Sequence, residues 1–338
     1  MQKWIYTLPF LLFIFTFSFL YKVTLQPNCF LCLPLPFKWP VSTEGILSQG
    51  KAIVFLETSN HSEPPPLVSC AIESASKIYP DRPVIFLMKG LGINNTVYDQ
   101  NSSQEAFSLL SAMKNVYIFP LYMERLLQDT PLLQWYLQVD PDKEQHWIHI
   151  SSDACRLAII WKYGGTYMDT DIISIRPIPS KNFLAAQSSK YSSNGIFGFQ
   201  RHNKFVWDCM EDFVYNFNGK IWGQQGPGLI TRMLAKFCQL PEFHKMEDIM
   251  CNNISFLHPH RFYPIPYLAW KTYYQVWENP PNFNDSYGLH LWNYMNSEGK
   301  NVVQGSNTLV ENIFKVHCPS TYEILIKSDL EKDGQTQY

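Results

Sequence analysis

The chain has 338 residues, is 46% hydrophobic and 17% charged, and carries a formal net charge of -2. That length and apolar content suit one large globular body or two moderate ones. Without a Lys/Arg-rich block or a net positive charge, the sequence gives no reason to expect a nucleic-acid partner.

The first element is WIYTLPFLLFIFTFSFLY, Trp4 to Tyr21, an uncharged run bounded by Lys3 and Lys22. As a helix it reaches about 27 Å, close to the hydrocarbon thickness of an internal membrane. Its terminal Trp and Tyr suit the two membrane interfaces. The length of the run, and the lack of a small-x-small cleavage pattern before Lys22, favour an uncleaved signal-anchor over a cleaved signal peptide. Residues 1–3 then form a short cytoplasmic tail, and the Pro-rich residues 22–50 a luminal stem. Cys29 and Cys32 in that stem suit either a local disulfide or a link between two chains, a stem-mediated dimer. With no second Cys or His pair at finger spacing, zinc is unsupported. Acceptor sequons at Asn94, Asn101, Asn253 and Asn284 and a total of eight cysteines are compatible with a body in an oxidising lumen. Cys238 and Cys251 can bridge locally, whereas Cys70, Cys155 and Cys209 read equally well as buried thiols.

A catalytic body is expected over residues 51–327, with residues 328–338 a flexible polar tail. Ile53 to Leu56 reads as a buried strand, Leu67 to Ile78 as an amphipathic helix, and Val84 to Met88 as a second strand. A helix over Gln104 to Lys114 and a strand at Val116 to Phe119 continue the alternation. Together they predict an α/β fold with a mostly parallel, Rossmann-related sheet flanked by helices. The aromatic segment from Asp129 to Asp140 is either a lid or helix packing. Ser151, Ser152 and Asp153 can begin a helix, with Asp153 capping it or binding a ligand. Gly164 and Gly165 end that helix.

Beyond them, GGTYMDTD places Asp169 and Asp171 one residue apart in an apolar and aromatic run. Alternate side chains on an extended strand share a face, so two carboxylates there need compensation. A divalent cation supplies it and can share its remaining positions with a diphosphate. Later, Asn194-Gly195 reads as a turn or a polar loop, and Gln225-Gly226 as a pocket wall or as helix initiation before Pro227. His290 and Trp292, in HLWN, are isolated candidates for a site contact. Tyr167 and Trp161 read mainly as core.

The segment SSDACRLAIIWKYGGTYMDTD, with IVFLETS before it and FGF, WGQQGP and HLWN after it, resembles the family 32 glycosyltransferases, DxD enzymes of the GT-A fold. These ordered markers extend over most of positions 51 to 320. The resemblance implies a single-pass type II Golgi membrane protein with a luminal catalytic domain. It also implies transfer of N-acetylglucosamine from UDP-GlcNAc, with retention and in α-1,4 linkage, to the terminal β-galactose of a mucin-type O-glycan. By the same resemblance Asp169 and Asp171, with His290, hold Mn²⁺, with Mg²⁺ the alternative ion. Asp153, Arg156, Asp169, Asp171, Asn194, Gln225, Gly226 and Trp292 are the expected donor contacts. The residues alone leave Arg156 open to a structural salt bridge with Asp153. No catalytic nucleophile is assigned, although Glu57, Asp208 and Glu211 supply acids. The competing readings are an α-1,4-galactosyltransferase using UDP-galactose, a metal-assisted phosphoester hydrolase, and a noncatalytic luminal glycan-binding protein.

Overall fold

Among the described residues, ten strands run in chain order as β1 (Ile53–Glu57), β2 (Val84–Met88), β3 (Val116–Pro120), β4 (Gly165–Met168), β5 (Ile172–Ser174), β6 (Phe183–Ser188), β7 (Tyr191–Phe199), β8 (Ile249–Cys251), β9 (Ile254–Leu257) and β10 (Gly288–His290). The computed structural model in which they are seen describes residues 42–93, 105–238, 242–243 and 245–335. Eight of these strands form one sheet in the order β3-β2-β1-β4-β7-β6-β9-β8, and β5 pairs with β10 in a second, antiparallel ribbon. The pairs β3-β2, β2-β1 and β1-β4 are parallel, as expected from the early alternation of strand and helix. From β4 onward the sheet is mixed, because β7 runs antiparallel to both β4 and β6.

The apolar runs in β1 and β2 lack alternation because both faces of the sheet are covered. Val54 and Leu56 enter one core with the helices α2 (Trp147–Tyr163), α3 (Lys204–Tyr215) and α4 (Pro227–Phe237). Ile53 and Phe55 enter the other, beneath α1 (Pro66–Ile78), α5 (Leu309–His317) and α6 (Pro319–Gln335). The aromatic segment after Asp129 serves packing: the buried Trp135 ring lies 4.7 Å from Phe213 and 5.3 Å from Phe217.

Two boundaries differ from the sequence reading. Thr43–Leu47 is helical and buries Ile46 and Leu47 in the core, so the body begins inside the residues assigned to the stem. At the other end α6 continues to Gln335, past the limit expected at 327. The Trp4 to Tyr21 segment, Cys29, Cys32, Asn94 and Asn101 lie outside the described residues. Among those described, no helix is long and apolar enough to cross a membrane.

Cys238 bridges Cys251 locally, and Cys70 on α1 bridges Cys318, just ahead of α6. Cys155 and Cys209 are free, buried thiols. One turn from Cys70, the fully buried Glu73 carboxylate accepts the Ser320 and Thr321 N–H groups, at 3.0 and 2.8 Å, and the Thr321 hydroxyl at 2.7 Å. α1 thus caps the start of α6 with an anion, which the exposed amides and the helix dipole both favour.

Candidate active site

The sharp end of β4 builds the centre of the site. Gly164 leaves α2 at φ 72° and Gly165 enters β4 at φ 108°, backbone values that L side chains rarely adopt. A Cβ on Gly165 would lie 2.5 Å from the Ala52 carbonyl oxygen, so the glycine also lets β4 run against the residue leading into β1. Strand pairing in β4 stops at Met168. Asp169 and Asp171 therefore sit in the turn that follows, closed by the Ile172 N–H donating to the Asp169 carbonyl at 3.1 Å. The extended-strand geometry expected of the pair is not what unites them; the turn is.

His290, at the end of β10, completes the cluster because β10 pairs with β5 immediately after the turn. One ligand atom from each of Asp169, Asp171 and His290 falls within 4.8 Å of the others. The His290 Nε2 lies 3.3 Å from Asp171 Oδ1 and 3.8 Å from Asp169 Oδ2. Asp171 is fixed further by the Asn293 N–H, which donates to its Oδ2 at 2.8 Å.

Arg156 anchors Asp169 from below. Its Nη1 donates to Asp169 Oδ1 and to the Asn194 carbonyl, both at 2.9 Å, and its Nη2 donates to the Ser152 hydroxyl at 2.8 Å. The guanidinium also stacks over Tyr167, 4.4 Å from the ring centroid, and the Tyr167 hydroxyl donates to the same Asp169 oxygen at 2.6 Å. These buried contacts make Arg156 a positioning residue for Asp169 rather than a free diphosphate ligand. Tyr167 is buried, yet it acts on the site through its hydroxyl, so the core reading captured only the ring.

Asp153 lies in the second turn of α2, since the helix starts at Trp147 and not at Ser151. Capping is therefore not its role. Its carboxylate accepts the Asn194 amide at 2.6 Å, and Gly226 closes against the pair: a Cβ there would lie 2.8 Å from both Asp153 Oδ2 and Asn194 Nδ2. Asn194 and Gly195 occupy the middle of β7 rather than a turn, because pairing with β4 and β6 on its two sides overrides their turn preference. The structure thus gathers Asp153, Asn194 and Gly226 into one polar wall joined to Asp169 through Arg156.

Two expected donor contacts are placed elsewhere. The Gln225 side chain points into the body, where its amide donates to the Phe213 carbonyl at 2.6 Å. Trp292 packs in the core beneath His290, with ring centroids 4.4 Å apart, and its indole N–H donates to the Ile265 carbonyl at 2.7 Å. Asp208 and Glu211 bond within α3, to Lys204 and Trp207, and stay out of the group. Tyr263 was missed. Its ring lies 5.1 Å from both His290 and Trp292, and its hydroxyl bonds Ser193. Nothing in FLHPHRFYPIPY distinguishes it from its aromatic neighbours.

The charges in this group are uneven. Burial works against ionisation of Asp169, but Arg156, His290 and the Tyr167 hydroxyl together outweigh it and hold the carboxyl below its usual range. For Asp171, burial, aided by the Asp169 charge, outweighs His290 and the Asn293 N–H and raises it. Burial alone would lower His290, but the Asp171 and Asp169 carboxylates reverse that and raise it. Burial pushes Asp153 up to about 6. Asp153 and Asp169 already share the Arg156 guanidinium, and Asp171 has only His290 beside it, which leaves a deficit of positive charge. Two hard oxygen donors and an imidazole fit a Mn²⁺ or Mg²⁺ ion there, with no thiolate to select a softer metal.

Two family profiles match the chain: a glycosyltransferase sugar-binding region containing the DXD motif, over residues 65–190, and an α-1,4-glycosyltransferase conserved region, over residues 198–325. The human α-1,4-N-acetylglucosaminyltransferase is 60% identical over 310 residues, spanning 92% of this chain and 91% of that protein. The rat lactosylceramide 4-α-galactosyltransferase is 36% identical over 297 residues, 87% of this chain and 81% of that protein. Among solved structures, the galactosyltransferase LgtC with donor and acceptor sugar analogues matches at a TM-score of 0.39 and 12% identity, covering 79% of this chain and 95% of that one. The motif that the family profile requires is the Asp169–Asp171 pair whose surroundings are described above, and the relatives align over nearly the whole body. The chain belongs to the DXD-containing α-1,4-glycosyltransferase family.

Proposed function

We propose that the chain transfers N-acetylglucosamine from UDP-GlcNAc, with retention and in α-1,4 linkage, to the terminal β-galactose of mucin-type O-glycans. The observation that carries the chemistry is the convergence of Asp169, Asp171 and His290 beyond the end of β4. The choice of donor sugar is supported by the 60% identity to the human N-acetylglucosamine enzyme. Asp169, Asp171 and His290 would hold the metal, Mn²⁺ in preference to Mg²⁺. Bound there, it would supply positive charge to the diphosphate as it departs.

The protein's own residues divide the remaining work. Arg156 and Tyr167 keep Asp169 ionised and fixed, and the Asn293 N–H orients Asp171. Asp153 and Asn194 offer a buried polar wall suited to nucleotide-sugar hydroxyls, against which the Gly226 backbone packs closely. Glu57 is engaged by the Ser59 N–H at 2.8 Å. No protein carboxylate is assigned as nucleophile, and retention is proposed through attack on the face from which the diphosphate leaves.

A Golgi location, type II with the body in the lumen, is part of this proposal. It is supported by the uncharged Trp4 to Tyr21 run and by the exposed sequon residues Asn253 and Asn284. A second reading, α-1,4-galactosyl transfer from UDP-galactose, is favoured by the 36% identity to the lactosylceramide enzyme. Purified luminal body, given both donors in competition with β-galactoside acceptors and product-linkage analysis, separates them. An α-1,4-linked N-acetylglucosamine product is expected. Preferential galactose transfer would reverse the donor assignment, and donor hydrolysis without any acceptor product would refute transfer.

A further inference from the structure

Four aromatic rings meet at the surface beside the site. The Trp222 and Tyr294 rings stack with centroids 4.0 Å apart and planes 9° from parallel. The His149 ring stands edge-on to both, at 4.6 and 5.0 Å, and His146 meets Trp222 at 5.2 Å. Trp222 is nevertheless 46% exposed and Tyr294 57% exposed. Rings of this size usually bury their faces, so a preassembled exposed stack points to a ligand.

Three of the rings belong to segments that shape the centre. Tyr294 directly follows Asn293, whose N–H holds Asp171. Trp222 lies in the loop that leads to Gly226, the glycine closing on Asp153 and Asn194. His149 is in the first turn of α2, where the neighbouring Ile148 carbonyl accepts the Thr58 hydroxyl at 2.8 Å, just beyond the end of β1. The rings therefore border the cluster from the solvent side, where a second substrate must enter.

We propose that Trp222 and Tyr294, braced by His149, form the acceptor subsite, the outer face of the stacked pair lying against the apolar C–H face of the galactosyl ring that receives the transferred sugar. A β-galactoside suits such a platform, because its axial O4 leaves one face of the ring as a continuous patch of C–H groups. The rings brace one another before any sugar arrives, so little side-chain ordering remains to oppose binding. This assignment rests on the transferase reading for the identity of the sugar.

The test pairs binding with kinetics in the purified luminal body, using methyl β-galactoside as probe and the variants Trp222→Ala, Tyr294→Ala and Trp222→Phe. Saturation-transfer NMR without donor is expected to show the galactoside on the parent and on Trp222→Phe, and to lose it in both alanine variants. Acceptor KM is expected to rise about tenfold in the alanine variants, the scale of one lost aromatic contact, while donor KM stays within about twofold. Unchanged acceptor KM and an unchanged NMR signal in the alanine variants would overturn the subsite, as would an equal rise in both KM values. A parent that shows the ring-dependent NMR signal but transfers no sugar would sink the transferase reading and leave the subsite standing.

Discussion

Gly195 shows how tightly the centre is drawn. A Cβ at this position would fall 2.5 Å from Asp169 Oδ2, while Arg156 and Tyr167 already hold the other oxygen of that carboxylate. Gly195→Ala is therefore expected to twist Asp169 away from His290 and weaken Mn²⁺ binding by more than about tenfold, the scale seen when groups supporting a metal ligand are lost. Metal titration followed by ligand-induced melting shifts checks this, and unchanged affinity would refute it. Asp171→Asn acts differently, because burial and Asp169 already disfavour its charge. The amide keeps an acceptor for Asn293, so Tm without metal should hold or rise. The Mn²⁺-induced rise in Tm and the turnover should both disappear. Arg156→Ala should instead cost about 3–5 kcal/mol in denaturant unfolding, because Asp169 stays buried without its partner. At this scale the sequence disclosed the residue types well. Asp169 and Asp171 were legible from their chemistry, whereas His290 came to them only through the family resemblance. The direction of Gln225 and the hydroxyl role of Tyr167 were not, since both depend on neighbours distant in the chain.

Between elements, the contact of α1 with α6 repeats one solution twice within a single turn: Cys70 holds Cys318, and Glu73 holds the amides of Ser320 and Thr321. Replacing Glu73 by Ala removes the acceptor for several donors, and about 2–4 kcal/mol is also typical for the loss of a native disulfide. Because both restraints act on one junction, the combined loss in Glu73→Ala, Cys70→Ser is expected to differ from the sum of the two single losses by more than about 0.5 kcal/mol. Chemical unfolding of the four proteins in the cycle measures it, and strict additivity would contradict a shared junction. Strands β1, β2 and β3 and helix α1 were readable because their apolar runs and punctuation are local. The start of α2 and the strand identity of Asn194 were not, because packing around Ile150 and pairing in β7 decide them from outside.

Across the whole molecule, acid stability should depend on the carboxylates that the fold keeps ionised. Burial opposes the charge of Glu311, but hydrogen bonds from Tyr322, Lys315, Gly305 and Asn307 hold its pKa to about 2, against an ordinary 4.5. Glu73 is likewise lowered: its burial is outweighed by Lys77, Thr321 and Ser320. Depressed carboxylates contribute fully above their unfolded pKa, and that contribution is lost as pH falls through the folded value. Denaturant unfolding from pH 6 to pH 2 should therefore show stability falling below about 4.5, with a shallower fall in Glu311→Gln, and equal slopes would refute it. The layered α/β plan was legible from the alternation of strand and helix, but the mixed second half of the sheet was not, because β7 inserts between β4 and β6. The Cys70–Cys318 bond joins sulfurs 248 positions apart, enclosing nearly all of the folded body. During synthesis that ring stays open until residue 318 has left the ribosome. A product interrupted before residue 318 would thus expose an unmatched thiol and an unshielded Glu73.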